Sequence, residues 1–310
     1  MKGPMVWLNG QFIPQTEAVL PWNDTGLIFG ATVTDLIRTF NHIPFRLSQH
    51  LDRFFLSAEH ACIPLNYGKG EVETVAGELI QHNARHLKKK QDLALVLFAT
   101  PGAVGYYFGQ EGGPGEANPV LGIHSFPLPL QRYQKWIHEG VDLATPAIRQ
   151  APNSLLPTGI KHRSRLHWWM GNREVKRMNP SAEAMLLDMQ GHLTETAFAN
   201  FVLVKNPEKP LGKQLFLVPP IGSVLPGVTL EVTRKFAMEN GIAWEEKPLS
   251  PQDVKVGDAA LLTGTSFCFA HVHTFNSVRL TRPDSTLEAL NHFWKGVTGL
   301  DVRQQILAYP

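Results

Sequence analysis

Cysteine is almost absent: Cys62 and Cys268 are the two thiols in 310 residues. They cannot make a disulfide framework, and such usage suits a reducing, cytoplasmic setting. No run of about 18 apolar residues occurs, so no membrane-spanning helix is expected. The start, with Gly3-Pro4 directly after Lys2, lacks the apolar core of a secretory signal. Charge of one sign is also scarce. Twenty-nine Lys and Arg face 27 Asp and Glu, for a formal net charge of +2. That surplus is too small to make nucleic acid the expected partner. The usual phosphate-loop patterns are missing. The glycine-rich stretch 102–118, including Gly112-Gly113-Pro114-Gly115, matches neither G-x-G-x-x-G nor G-x-x-x-x-G-K-[ST], and reads as a mobile loop. No internal repeat or low-complexity tract is present.

What is there supports large packed cores. Hydrophobic residues make up 43% and charged residues 18% of the chain, and the length suits about two domains. Asn9-Gly10 between two short apolar runs predicts a hairpin with a type I′ turn. Asn41-His42 predicts a second one, between 35–40 and 44–46. Ser48 reads as the N-cap of a helix. Leu51, Phe54, Phe55 and Ala58 form its apolar face, and His50, Arg53 and Ser57 share another. Val72, Val75, Ala76, Leu79 and Ile80 mark a second helix, running towards the basic cap Lys88-Lys89-Lys90. Residues 93–99 read as a buried strand. Pro127-Leu128-Pro129-Leu130 reads as a linker, giving a small domain over 1–126, a linker over 127–134 and a larger domain over 135–310. In the second half, 141–144, 184–189, 192–195, 198–204 and 259–262 read as strands. Helices are expected at 166–178, with Leu166, Trp169, Met170 and Arg173 on one side, and at 229–240, ending at Gly241.

Three stretches carry candidate chemistry. Lys161 lies in Thr158-Gly159-Ile160-Lys161-His162-Arg163; taken alone it reads as a surface lysine. Glu195 lies in Gly191-His192-Leu193-Thr194-Glu195, beside an apolar strand that contains Asn200; a carboxylate there needs a partner or solvent. Leu225-Pro226-Gly227-Val228-Thr229 opens a helix, and Thr263-Gly264-Thr265-Ser266 ends a strand. Backbone N–H groups, hydroxyls and a helix dipole at such places suit a phosphate, although N-capping is the commoner use of such a threonine.

In their order along the chain, these residues resemble the fold-type IV pyridoxal-phosphate enzymes, the class IV aminotransferases. That group includes branched-chain and D-amino-acid aminotransferases and aminodeoxychorismate lyase. The resemblance runs from the Asn9-Gly10 hairpin to Thr263-Gly264-Thr265. It takes in 30–40, Phe45-Arg46-Leu47 and His50-Leu51-Asp52-Arg53-Phe54, then Lys161, Glu195 and Asn200. It implies a two-domain α/β (α+β) fold, a small α/β domain plus a larger pseudo-barrel domain, and pyridoxal 5'-phosphate as cofactor. Lys161 would attach to the cofactor aldehyde and then carry a proton. Glu195 would pair with the pyridine nitrogen. Arg53, Val228, Thr229, Gly264 and Thr265 would hold the phosphate, with Leu225 under the ring and Asn200 among the cofactor-binding residues. The implied reaction is transamination of an amino acid and a 2-oxo acid, branched-chain-like, in a homodimer.

Departures from the family pattern keep the subfamily open. Thr34 stands where many relatives have tyrosine, and Leu166 stands five residues after the lysine, as in the D-amino-acid and lyase branches. Thr34, Tyr106, Arg163 and Ser266 are the candidates for substrate contact. The aromatics Tyr106-Tyr107-Phe108 suit a subunit interface. Two other readings stand beside the enzyme. His271 and His273, at i and i+2 on a strand, make at most half of a metal site, so no metal is expected. A non-catalytic cofactor-binding relative is the other.

Overall fold

The computed structural model describes residues 3–88, 90–109 and 118–309. The segment Gly112-Gly113-Pro114-Gly115 lies outside the described residues. Among them, no helix is long and apolar enough to cross a membrane. The chain divides into two compact units. One comprises 1–128 together with 160–164; the other comprises 129–159 and 165–310. The segment around Lys161 therefore counts with the first unit, although its neighbours in sequence on both sides belong to the second.

The first unit contains β1 (Met5–Leu8), β2 (Gln11–Pro14), α1 (Thr25–Ile28), β3 (Val33–Phe40), β4 (Ile43–Pro44), α2 (Leu47–His60), α3 (Lys69–Ala84), β5 (Leu93–Thr100) and β6 (Val120–Pro127). Its six strands form one antiparallel sheet in the order β2-β1-β6-β5-β3-β4. Both expected hairpins are present; the Asn9-Gly10 turn is of the predicted type, and the second strand of the other hairpin is Ile43–Pro44 rather than 44–46. Asn9 and Gly10 have φ of 45° and 88°, and Asn41 and His42 have 51° and 63°, as a type I′ turn requires. Alternation along the strands sends Val33, Ile37, Leu95 and Leu97 to one face, where Leu51 and Phe54 of α2 and Leu79 of α3 close the core.

Ser48 is not the N-cap of α2. The helix begins at Leu47, and Arg46, in the left-handed region at φ 51°, takes the capping position without a side-chain bond. The reason lies in the tight turn after β4, which brings the chain into the helix two residues earlier. The second face of α2 is buried as well: His50, Arg53 and Ser57 are all enclosed.

The second unit contains α4 (Gln134–His138), β7 (Val141–Ala144), α5 (Leu166–Met178), β8 (Ala182–Leu187), β9 (Leu193–Thr196), β10 (Asn200–Lys205), β11 (Leu215–Val218), α6 (Val228–Glu239), β12 (Ala243–Glu246), β13 (Ala259–Gly264), β14 (Cys268–Phe275), β15 (Val278–Arg279), α7 (Asp284–Thr298) and α8 (Val302–Leu307). The strand path β10-β13-β14-β7-β8-β9 returns to its start because β9 also pairs with β10. A sheet that closes on itself in this way is a barrel. Six strands form this ring, and β11 and β12 extend from it beyond β10. On α5 the residues that pack inwards are Trp168, Gly171 and Val175, against Ala182, Ala184 and Leu186. The face carrying Leu166, Trp169 and Met170 is exposed.

Asn83 ties α3 to the sheet. Its Oδ1 accepts from Met5 N at 2.8 Å, and its Nδ2 donates to Met5 O at 2.9 Å and to Ser125 Oγ at 2.8 Å. The residue is buried, so Asn83→Leu strands both Met5 backbone groups without water. The expected cost is about 1–3 kcal/mol. It is read from urea unfolding, with an unchanged m-value showing that the fold is kept.

Candidate active site

Lys161 is fastened by its backbone. The start of β3 has β5 on one side and an open edge on the other, since β4 reaches only Thr39 and Phe40. Residues 161–163 cover that edge. Thr34 N donates to Lys161 O at 2.8 Å, and Arg163 N donates to Thr32 O at 3.0 Å. His162 forms the intervening bridge with Val33. Ser164 Oγ donates to Gly30 O at 2.6 Å. Ile160 enters the apolar core. The N–H of Lys161 finds Ser57 Oγ on α2 at 3.1 Å.

Arg53 stands on the same helix, one turn before Ser57. The helical spacing leaves it free to point into a cleft; the structure instead encloses it against Asp35. Arg53 Nε and Nη2 donate to the two Asp35 oxygens, each at 2.8 Å. His50 Nδ1 lies 2.8 Å from Asp35 Oδ1. Asp35 has no exposed surface. Burial raises the pKa of its carboxyl, but the Arg53 charge and the bonds from His50 and Arg53 outweigh that and hold it well below the usual carboxylate range. Burial lowers the pKa of His50, only partly countered by its bond to Asp35, and the charges of Arg53 and Lys161 lower it further. A neutral ring that donates from Nδ1 fits this.

In the second unit Asn200 joins three segments. Across the ring it pairs with Glu195 on β9, and on its other side with Thr263 on β13. Its Nδ2 donates to Glu195 Oε2 at 3.2 Å and to Leu225 O at 2.9 Å. Leu225 N donates to Glu195 Oε1 at 3.2 Å. Glu195 is 7% exposed, so both carboxylate oxygens are fixed by donors in a nearly dry place. Two residues further, Gly227 precedes α6, and a Cβ there would run into Asn200 Oδ1. The helix opens with no side-chain cap. The N–H groups of Val228 and Thr229 thus stand in a first turn that has no acceptor within the helix. Gly264 lies close to Phe198 O and the Phe267 ring, again without room for a Cβ. Thr263 Oγ1 is buried with no hydrogen-bond partner. Thr265 and Ser266 follow in the turn between β13 and β14.

The substrate candidates differ from one another. The Thr34 hydroxyl donates to Leu97 O at 2.7 Å and serves the sheet. The Arg163 guanidinium lies 5.2 Å from the Phe98 ring centre. Tyr106 is exposed and stacks on Tyr107 at 4.9 Å, with Trp22 edge-on to Tyr107 at 5.8 Å. His273 lies 3.2 Å from Asp142, and among the described residues no three His, Cys, Asp or Glu gather to hold a metal.

Sequence reasoning missed Asp35 and the partner role of His50. A signal for Asp35 was present: it alternates with Val33 and Ile37 on the inward face of a strand, where a carboxylate requires a partner. The i, i+3, i+7 spacing of His50, Arg53 and Ser57 pointed to the helix face that would supply it.

The sign of the Asp35 shift fixes a pH dependence. The folded-state pKa is depressed below 3.8, so the stabilisation is complete well above pH 3.8 and is lost as pH falls through the folded value. Asp35→Asn is expected to cost about 3–5 kcal/mol at pH 7, because Arg53 is left buried without its counter-charge. The gap from wild type should narrow as pH falls below about 3.8. Denaturant unfolding at pH 7 and pH 3 measures it.

Comparison with known proteins follows the same residues. Residues 32–275 match the family Amino-transferase class IV. A putative branched-chain-amino-acid aminotransferase of Methanocaldococcus jannaschii is 28% identical over 264 residues, 84% of each chain. A D-alanine aminotransferase of Bacillus licheniformis is 26% identical over 261 residues, also 84% of each. Among solved structures, the branched-chain amino acid aminotransferase of Escherichia coli superposes with a TM-score of 0.80 at 22% identity, covering 96% of both chains. The branched-chain amino acid aminotransferase of Thermoproteus uzoniensis with norvaline gives 0.79 at 22%, covering 96% of this chain and 95% of that one. Another such enzyme, solved with pyridoxamine 5'-phosphate, gives 0.80 at 19% with the same coverage. A match spanning most of the chain, over both the Lys161 segment and the closing strands of the ring, settles the family: the chain belongs to the class IV aminotransferases.

Proposed function

We propose that this chain is a pyridoxal 5'-phosphate-dependent transaminase acting on an amino acid and a 2-oxo acid, branched-chain-like. The observation that carries the reading is Glu195, a buried carboxylate held by two donors where the ring closes, next to the uncapped start of α6. The second unit fits the cofactor's chemistry. The orphaned Thr263 hydroxyl, the first-turn amides of Val228 and Thr229, and the room left by Gly227 together offer donors to an anion.

When bound, the cofactor supplies a carbon that takes up an amine and a ring that withdraws electrons. The rest is the work of this chain. Lys161 would hold the cofactor through Nζ and, once the substrate amine has displaced it, its free amine would take the proton from the substrate α-carbon and return it to the far side of the same carbon–nitrogen unit. Glu195 holds a proton on the pyridine nitrogen by presenting a fixed negative charge to it. Arg53 gives charge-assisted hydrogen bonds to the phosphate, and α6 adds Val228 N, Thr229 N and the Thr229 hydroxyl. Thr265 and Gly264 lie on the same side of Asn200 as Thr263, and Leu225 supports the ring. Arg163 suits a substrate carboxylate: its guanidinium lies over the Phe98 ring, and among the described residues no ion pair is formed with it.

The protein is read as a cytoplasmic homodimer. Trp22, Leu27, Phe29, Tyr106 and Tyr107 are exposed on the first unit, and exposed aromatics such as the Trp22–Tyr107–Tyr106 cluster favour a partner surface. Light scattering of the active protein is expected at twice 34.5 kDa; an active monomer rejects the dimer.

Two substitutions test the reaction. Lys161→Ala should abolish covalent attachment, with no borohydride-stable adduct on any other lysine. Glu195→Gln should keep the attachment yet slow turnover by about 10²-fold or more, the scale of losing one preorganised charge partner. A panel of L-leucine, L-glutamate, D-alanine and aminodeoxychorismate then selects among transaminase branches and the lyase. An adduct on another lysine, or wild-type turnover in Glu195→Gln, overturns the reading.

A further inference from the structure

We infer that Ser57 is a positioning residue, whose hydroxyl fixes the Lys161 peptide against the turn of α2 that carries Arg53. The inference rests on the reading of Lys161 and Arg53 as cofactor-binding residues.

The geometry begins with an accounting problem. In the bridge across the β3 edge, Lys161 O and Arg163 N both turn towards β3. The N–H of Lys161 does not continue this ladder: its acceptor is on α2, not on β3. A buried backbone donor left there costs as much as a lost hydrogen bond. Ser57 Oγ answers it at 3.1 Å. The same oxygen donates its proton to Arg53 O at 2.7 Å. Ser57 is fully enclosed, so water cannot replace either bond.

The result is a short relay: Lys161 N–H to Ser57 Oγ, and Ser57 O–H to Arg53 C=O. Its far end is itself fixed, because the Arg53 guanidinium grips both Asp35 oxygens. Asp35 belongs to β3, and so does Thr34, whose N–H holds Lys161 O. The lysine backbone is therefore gripped on one side by α2 and on the other by β3, and the two grips meet at the Arg53–Asp35 pair. A cofactor held at one end by the lysine and at the other by the arginine has its reach set by this frame. A displaced lysine would meet different neighbours, and the neighbours of its nitrogen set its basicity.

A helix-stabilising serine would show none of this, since its i to i−4 bond is local. Ser57→Ala and Ser57→Cys separate the two roles. In the cofactor-free protein, the Lys161 amide should exchange about tenfold faster in Ser57→Ala, the scale of one lost hydrogen bond, while β5 keeps its protection. Ser57→Cys, a weaker acceptor of similar size, should fall between Ala and wild type. In the cofactor-loaded protein, the absorbance band at about 400 nm reports the lysine-bound group. Its titration midpoint should move by about 0.5 pH unit in Ser57→Ala, and less in Ser57→Cys. Should the alanine variant not fold, the cysteine variant gives both readings. Wild-type exchange at Lys161 with a wild-type midpoint overturns the inference. A band that forms normally but ignores Ser57 removes the positioning role alone. Faster exchange in a protein that never develops the band supports the backbone grip and instead refutes the cofactor reading.

Discussion

In the second unit several constraints meet at Asn200. The ring of strands closes where the Asn200 backbone pairs with Glu195, next to a bond from Thr196 N to Ala199 O. The Asn200 amide also holds Leu225 O and Glu195 Oε2. Closure of the barrel and orientation of the carboxylate are therefore one event. An asparagine offers two donors and an acceptor from one planar group, which a leucine or serine here would not match. Glu195 can remain buried only because it meets these donors.

The first unit solves a different electrostatic problem. A sheet and two helices form a core of aliphatic side chains, yet Asp35, Arg53 and His50 lie inside it. Isolated, each charge would cost several kcal/mol to bury. Paired, they fix α2 to β3 at one point and in one register. Such a pair adds little net stability compared with a packed apolar triplet. What it gives is a guanidinium whose position is set on two sides before any ligand arrives, and preorganisation of that kind lowers the ordering cost of binding.

Local rules written into the sequence predict much of this. Asn9-Gly10 yields the expected turn type because asparagine and glycine tolerate positive φ. The apolar face of α2 follows from spacing alone. Ser48 misleads because the capping position was decided by the geometry of the preceding turn, which Arg46 takes up. Leu166, Trp169 and Met170 share a side of α5 as expected, yet Trp168 and Val175 face the sheet; amphipathic order does not say which side has a neighbour. Arg53 shares a helix face with His50 and Ser57 as the spacing says, but its grip on Asp35 joins a strand to a helix 18 positions away, a tertiary fact with no local signature. The Lys161 segment is harder still. Its sequence neighbours belong to the other unit, and only the open edge of β3 explains where it folds.

Gly227 shows how a missing side chain can make a site. Its φ of −76° is ordinary for any residue, so conformational freedom is not the reason for glycine. Space is: Asn200 Oδ1 occupies the place of a Cβ. A serine or threonine, the usual helix caps, is thereby excluded from the capping position of α6. The first-turn amides stay uncapped and keep the positive end of the helix dipole open to an anion. The same asparagine that closes the barrel and holds Glu195 thus also leaves the helix start available. One carboxylate and one anion-attracting helix end are set side by side by a single packing constraint, which is what a ligand with a basic ring nitrogen and a phosphate requires.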